Sequence, residues 1–186
     1  MSDFSRREAL RLAGLGATAA LAGCTSSLGL GPGGGGGSGD CTTEAGAWRT
    51  TELTDVLTGE TFTIDSFEKP VLVETFAVWC SNCKRQQDEL IEFHDQVGDD
   101  VVSVALNTDP NEDAAAVRQH AREHGYDWRY AVSPTDVTSS IVDQFGASMT
   151  NPPQVPMLLR CADGCTRRLQ DGHKSTSFLR EQVDGC

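Results

Sequence analysis

Two cysteines separated by two residues, Cys80 and Cys83, form the part of the sequence best suited to chemistry. A pair at this spacing can open and close a disulfide, and its thiolate form attacks the disulfides of other molecules. The segment before them, residues 71–78 (VLVETFAV), is an almost wholly apolar run of β-forming residues. Such a run predicts a central strand that is buried on both faces. The cysteine pair therefore lies where a predicted strand ends.

A helix is predicted directly after the pair, over residues 84–97, because apolar residues recur there along one stripe. The free N–H groups and the dipole at a helix N-terminus favour a thiolate and lower the pKa of a nearby cysteine. We therefore expect Cys80, at the exposed end of the motif, to be the attacking nucleophile. Cys83 lies one turn further in and is expected to resolve the mixed disulfide. Trp79 borders Cys80, and we expect it to shape the surface on which partner proteins dock.

Glu74 is a carboxylate in the middle of the predicted buried strand, six positions before Cys80. Burial disfavours the charged form of a carboxylate and raises its pKa. A carboxylate with a pKa near neutrality is well suited to accept a proton. We predict that Glu74 acts as a base near neutral pH. The alternative interpretation is a partly solvated strand acid that only forms hydrogen bonds.

Four other cysteines, Cys41, Cys161, Cys165 and Cys186, have the pattern of structural disulfides, although sequence alone does not determine their pairing. Residues 161–165 (CADGC) lie between two strand-like runs, and Asp-Gly in such a short loop is typical of a β-hairpin. Cysteines that flank the loop face each other, so we predict a Cys161–Cys165 disulfide. By elimination, Cys41 and Cys186 would join the two ends of the domain. Both bridges imply an oxidising compartment.

The N-terminus carries two signals in order. Residues 5–10 (SRREAL) resemble a twin-arginine export signal, and a weakly apolar stretch follows. Residues 21–24 (LAGC) resemble a lipobox, in which Cys24 is lipidated and becomes the new N-terminus. The alternative is a cytosolic protein with a disordered tail. The predicted organisation is a signal peptide at residues 1–23, a lipidated glycine-rich linker at residues 24–45 and a folded domain at residues 46–186.

Acidic residues dominate the chain, with 27 Asp and Glu against 15 Lys and Arg and a formal net charge of −12. This balance argues against nucleic-acid binding, which requires a basic surface. Only three lysines occur, namely Lys69, Lys84 and Lys174. An acid-rich, lysine-poor surface resembles the proteins of extremely salt-loving archaea, because molar salt screens self-repulsion. The alternative is an ordinary acidic protein.

Several patterns raise the question of metal binding. Residues 120–124 (HAREH) match a zinc-peptidase motif, but the predicted helix ends at Gly125 and no third ligand stands out. We therefore interpret both histidines as part of a solvated helix face. A four-cysteine zinc site is disfavoured because Cys80 and Cys83 open a helix rather than a tight turn. A copper carrier remains the alternative function, since soft thiolates suit Cu(I). We expect no metal site and no cofactor beyond the redox-active disulfide.

The remaining periodic segments predict helices and strands that support the fold and carry no chemistry of their own. Further helices are expected at residues 112–124, 136–145 and 175–183, and further strands at residues 101–107, 155–160 and 166–170. Trp48, Trp128, Phe62 and Phe67 are expected in the core.

Together these segments resemble the thioredoxin superfamily, and most of all its membrane-anchored TlpA/ResA-like branch, over residues 47–185. The likeness rests on the strand that leads into Trp-Cys-x-x-Cys, on the second strand, and on a loop ending in Val155–Pro156 before a strand and hairpin. The resemblance implies an α/β thioredoxin-like fold with a central mixed β-sheet flanked by helices. It also implies that Pro156 is a cis-proline beside the disulfide, with Val155 in the docking groove. Glu74 matches the buried acid of the family, which implies that it helps to move the proton of the resolving cysteine.

The same resemblance implies an extracytoplasmic thiol–disulfide oxidoreductase that exchanges disulfides with exported proteins. A reductase is slightly favoured over an oxidase, and the implied partners are protein thiols and a membrane electron donor or acceptor. The expected form is a monomer held outside the cytoplasmic membrane by its lipid anchor. The dipeptide Ser81-Asn82 departs from the best-known members, which leaves the reduction potential open.

Overall fold

The structure, a computed structural model, describes residues 41–186. The predicted signal peptide, Cys24 and most of the predicted linker lie outside the described residues. Within residues 41–186 the α-helices are α1 (Ala47–Thr50), α2 (Ser81–Val97), α3 (Ala114–His124), α4 (Thr135–Phe145) and α5 (Thr176–Asp184). The β-strands are β1 (Leu53–Thr54), β2 (Thr61–Phe62), β3 (Val71–Phe76), β4 (Val102–Asn107), β5 (Arg129–Val132), β6 (Met157–Arg160) and β7 (Thr166–Arg168).

Strand β3 lies at the centre of a five-stranded sheet with the order β5-β4-β3-β6-β7. It pairs in parallel with β4 and antiparallel with β6, while β5 and β7 form the edges. Strands β1 and β2 form a separate antiparallel hairpin. This architecture confirms the predicted central mixed sheet flanked by helices.

Side chains of β3 alternate between two hydrophobic cores, one on each face of the sheet. Leu72 and Phe76 pack on the face covered by α2, α3 and α5. Val71 and Val73 pack on the opposite face with residues of α1 and α4. All six residues of β3 are buried, which explains why its sequence reads as a continuous apolar run.

The observed element bounds differ from the predictions next to the cysteine pair. Helix α2 begins at Ser81 rather than at residue 84, so Cys83 lies within its first turn. Strand β3 ends at Phe76, and the following turn is closed by a hydrogen bond from the Cys80 N–H to the Ala77 carbonyl of 3.1 Å. Strand β6 begins at Met157 instead of residue 155. Strand β5 has no counterpart among the predicted elements.

The predicted pairing of the four structural cysteines is wrong. The disulfides are Cys41–Cys165 and Cys161–Cys186, with Cα–Cα distances of 5.4 and 5.2 Å. The residue after Cys41 forms an antiparallel bridge to the residue after Cys165, with N–H···O distances of 2.9 and 2.8 Å, and this places those two cysteines side by side. The C-terminal end of α5 brings Cys186 to Cys161. The bridge between Thr42 and Thr166 involves one residue from each segment, so no periodic pattern in the sequence predicts it.

Three of the four aromatic residues predicted in the core, Trp48, Trp128 and Phe62, are buried. Phe67 is half-buried and packs against the core that contains Trp48 and Phe62, whereas Trp128 lies in the core on the other face of the sheet. The prediction of a solvated helix face at residues 120–124 is wrong for His120, which is buried. Among residues 41–186, no helix combines the length and the apolar character needed to cross a bilayer.

Candidate active site

Cys80 and Cys83 form a disulfide at the point where β3 leads into α2. Cys80 is the N-cap residue of α2, and its Sγ accepts a hydrogen bond of 3.1 Å from the backbone N–H of Cys83. The first N–H groups of a helix have no partner within the helix, and the helix dipole adds partial positive charge at this end. A thiolate at Cys80 is therefore stabilised by the start of the helix.

The disulfide is more enclosed than the sequence indicated, because Cys80 is only 2% exposed. A short 3₁₀ turn, Pro152–Gln154, packs against the start of α2. The Nδ2 amide of Asn82 donates a 3.0 Å hydrogen bond to the Pro153 carbonyl, and the Cys83 Sγ lies 3.2 Å from the Pro152 carbonyl. The predicted exposed position of Cys80 is thus wrong, because its side chain is buried.

Trp79 lies beside the buried disulfide and is 59% exposed, as a docking residue requires. Its Nε1–H donates a 2.6 Å hydrogen bond to Asp109, which lies on the loop after β4. This hydrogen bond and those from Asn111 lower the pKa of Asp109. Asp109 therefore stays ionised and holds the indole ring in place. The preceding turn is held as well, because Glu112 accepts a 2.8 Å hydrogen bond from the Val78 N–H.

Glu74 lies on the α2 side of β3 and is buried, with 1% of its surface exposed. Neither carboxylate oxygen has a hydrogen-bond partner among the described residues. Burial raises the Glu74 pKa from 4.5 to about 8, although the Gln87 amide and the Lys174 ammonium lower it in part. A carboxylate with such a pKa can take up and release a proton near neutral pH.

Gln87 lies one helical turn after Cys83 on the same face of α2 and is fully buried. Its Oε1 accepts a 2.7 Å hydrogen bond from Nε2 of His120 on α3. Burial lowers the pKa of His120 to about 4, so the ring is neutral and acts as a donor here. Because Oε1 is occupied in this way, the Nε2 amide group of Gln87 is left to face Glu74. No pattern in the sequence indicates this contact, because Gln87 is one of several polar residues in the helix.

Lys174 is a second residue that sequence reasoning missed. It is fully buried, and its Nζ donates hydrogen bonds of 2.6 Å to the carbonyls of Val155 and Gly172. Burial lowers its pKa to about 8, while the nearby carboxylate of Glu74 acts in the opposite direction. The one available signal was compositional, because lysine is so rare in this chain.

The prediction of a cis peptide bond before Pro156 is wrong, because residues 41–186 contain no cis peptide bond. Instead, Val155 has a left-handed backbone conformation, with φ 50° and ψ 56°, and this redirects the chain from the 3₁₀ turn into β6. It is the one non-glycine residue with positive φ among those described. A β-branched residue is rarely found in this conformation, and such strain concentrates at functional sites. Pro156 follows and accepts a 3.2 Å hydrogen bond from the Thr75 N–H.

The described residues offer little for metal binding outside the redox pair. The group Cys161, Asp163 and Cys165 is compact enough for an ion, but both sulfurs are held in disulfides. The two histidines of the peptidase-like motif do not converge as ligands, since His120 binds Gln87 and His124 donates through Nδ1 to the His120 carbonyl at 2.9 Å. The zinc-peptidase interpretation therefore has no support here.

Comparison with known proteins agrees with this fold. Residues 54–119 match the family model described as Thioredoxin. No curated protein sequence matches the chain. Several solved structures are similar to it over most of the described domain.

A secreted Mycobacterium tuberculosis disulfide oxidoreductase homologous to E. coli DsbE is 18% identical, with 76% of this chain and 100% of that chain covered and a TM-score of 0.56. A thiol:disulfide interchange protein of the thioredoxin family from Chlorobium tepidum is 17% identical, with coverage of 72% and 90% and a TM-score of 0.60. The exposed lipoprotein thioredoxin of Streptococcus pneumoniae is 17% identical, with coverage of 73% and 98% and a TM-score of 0.55. The described domain thus has the thioredoxin-like fold that the sequence predicted.

Proposed function

We propose that this protein is a thiol–disulfide oxidoreductase that exchanges disulfides with other proteins through Cys80 and Cys83. The observation that carries the proposal is the disulfide at the N-terminus of α2, with Cys80 as the helix N-cap and an exposed Trp79 beside it. The name of each solved structure quoted above, in which the same fold occurs, describes an oxidoreductase, an interchange protein or a thioredoxin.

In the reducing direction, the Cys80 thiolate attacks one sulfur of a partner disulfide and forms a mixed disulfide, and the other partner sulfur leaves as a thiolate. Cys83 then loses its proton and attacks Cys80 Sγ, which restores the Cys80–Cys83 disulfide and releases the second partner sulfur. The partner gains two electrons and the pair loses two. Glu74 is the proposed acceptor of the Cys83 proton, because its raised pKa suits it to that exchange. Run backwards, the same steps oxidise a partner dithiol.

We further propose that the domain works outside the cytoplasmic membrane, tethered through a lipidated Cys24 in the manner of the TlpA/ResA-like proteins. The export and lipobox patterns of the N-terminus support this location. Two additional disulfides in the described domain are typical of an oxidising compartment. The proposed partners are thiols and disulfides of exported proteins and a membrane electron donor or acceptor. The protein would act as a monomer, and its acidic, lysine-poor composition suits a haloarchaeal, high-salt environment.

A redox titration of the purified protein in high salt tests the function and its direction. A reversible two-electron step at Cys80–Cys83 is expected, and it should disappear in a Cys80→Ala variant. A potential near that of thioredoxin, about −270 mV, would support the favoured reductase role, whereas a value near about −120 mV would indicate an oxidase. Stoichiometric Cu(I) binding without any reversible dithiol step would refute the exchange function in favour of a copper carrier.

A further inference from the structure

Lys174 occupies an unusual position for a lysine, because it lies on the loop before α5 and its side chain is fully buried. Its Nζ donates to the Val155 carbonyl and to the Gly172 carbonyl, each at 2.6 Å. Val155 is the left-handed residue that ends the turn contacting Cys83. One charged group therefore holds that turn in place from the inside.

The main chain of Lys174 is fixed just as firmly to helix α2. Its N–H donates a 2.7 Å hydrogen bond to Oε1 of Gln86, and its carbonyl accepts a 3.0 Å hydrogen bond from Nε2 of the same side chain. Gln86 is fully buried and precedes Gln87, the amide that faces Glu74. These contacts leave the ammonium little freedom to move away from its position.

The charge of Lys174 is coupled to that of Glu74. Each group favours the ionised form of the other, since Lys174 lowers the Glu74 pKa and Glu74 raises that of Lys174. An ammonium has three donors, and the two carbonyls use two of them. The other charged groups that act on Lys174 are Asp171 on its own loop and Arg168 on β7. Around Glu74, the titratable groups of the neighbouring elements are Tyr126, Tyr130 and the neutral His120.

We propose that Lys174 is a positioning residue that couples the charge of Glu74 to the turn at Val155 which contacts the redox pair. The inference deepens the proposed exchange function and rests on it. When Cys83 gives its proton to Glu74, Lys174 loses the negative partner that favours its ammonium form. Its charge-assisted hydrogen bond to the Val155 carbonyl then weakens, and the turn beside the disulfide loosens. Proton transfer and access to the sulfurs thereby become linked steps.

A Lys174→Met variant tests the coupling at nearly constant side-chain volume. The midpoint of the Glu74-dependent limb in the pH profile of dithiol exchange should rise by about one pH unit or more, because an opposite charge is lost. The Val155 N–H donates a 2.7 Å hydrogen bond to the Pro152 carbonyl, and its protection from hydrogen exchange with solvent should fall about tenfold. Lys69→Met is the control, since Lys69 is exposed and its loss changes the net charge equally. An unchanged pH midpoint and unchanged Val155 protection would overturn the proposal.

A Glu74→Gln variant tests the same link with Lys174 intact, in case Lys174→Met does not fold. Removing the carboxylate should lower the pH at which the Val155 amide loses its protection, because Lys174 then deprotonates more readily. If the Val155 amide lost its protection at the same pH in the wild type and in Glu74→Gln, the coupling would be contradicted. The wild-type exchange assay separates the two hypotheses. An inactive wild type refutes the proposed function. An active wild type in which the hydrogen-exchange protection of the Val155 amide does not change with pH refutes only the role of Lys174.

Discussion

At the scale of single residues, Glu74 is a carboxyl group whose ionisation is opposed by its burial. It is a carboxylate without a hydrogen-bond partner among the described residues, inside a strand that is buried along its whole length. The folded protein keeps a proton on Glu74 up to about pH 8, whereas the unfolded chain loses it near 4.5. The folded state therefore binds more protons in this pH window, and its stability falls as the pH rises.

We expect a Glu74→Gln variant to gain stability relative to the wild type by about 1.4 kcal/mol for each pH unit between pH 4.5 and about 8. The difference in free energy of unfolding should level off outside this window. Denaturant titrations at several pH values, with the disulfides left oxidised and the salt constant, measure it. Glu68→Gln, at an exposed position before β3, is the matched control and should show no such slope. A pH-independent difference for Glu74→Gln would mean that the carboxylate is ionised in the folded protein at neutral pH.

At the scale of secondary-structure elements, the contact between α2 and the 3₁₀ turn Pro152–Gln154 decides how open the redox pair is. The turn contacts Cys83, and the Asn82 side chain donates a hydrogen bond that ties the turn to the first turn of the helix. The sequence placed α2 three residues too late because Ser, Asn and Cys are weak helix formers. Their positions are helical since Cys80 caps the helix with its sulfur, a role that pattern analysis does not assign to cysteine.

We expect Asn82→Ala to speed the reduction of Cys80–Cys83 by dithiothreitol, because the variant lacks the hydrogen bond to the Pro153 carbonyl. The gain should be at most about tenfold, the effect of one hydrogen bond of ordinary strength. Quenched thiol labelling followed by mass spectrometry measures the rate. Ser81→Ala removes an exposed hydroxyl from the same helical turn and serves as control. Equal rates for all three proteins would show that the turn does not limit access.

At the scale of the whole molecule, two disulfides fasten both ends of the described chain to one hairpin loop. Cys165 forms a disulfide with Cys41 at one side of the loop, and Cys161 forms a disulfide with Cys186 at the other. The loop-closure entropy of the unfolded chain grows with the length of chain that a disulfide encloses. The two bridges enclose very different lengths, with sequence separations of 124 and 25 residues.

Proteolysis with an enzyme that cleaves before aspartate separates Cys161 from Cys165, because Asp163 lies between them. We expect the Cys161 peptide to be linked to Cys186 and the Cys165 peptide to Cys41. A link between Cys161 and Cys165 would restore the pairing expected from the hairpin alone.

Replacing both cysteines of each bridge by alanine should destabilise the domain by about 5 kcal/mol for Cys41–Cys165 and about 3.5 kcal/mol for Cys161–Cys186. Guanidinium unfolding midpoints of the two double variants measure the difference. The reverse order would contradict the loop-closure argument.

The sequence predicted the parts of the site whose signals are local. Cys80 and Cys83 are recognised by their spacing, and Glu74 by a charge within an apolar run. Lys174 could not be identified in the same way, because its burial depends on contacts with a helix 88 residues away in sequence. The same reason hides the role of Gln87, which depends on a histidine of α3. Long-range contacts of this kind leave no pattern in one sequence.

The hairpin loop that carries both disulfides and the redox pair lie at opposite ends of strand β3. Cys161 follows the end of β6 that pairs with Val71 at the start of β3, whereas Cys80 lies beyond the opposite end of that strand. Six residues of extended chain separate these ends by about 20 Å. Cys41, which is bonded to Cys165 in this loop, therefore lies at the end of the domain remote from the redox pair. The two disulfides that fasten the ends of the described chain therefore lie far from the sulfurs that would react with partner proteins.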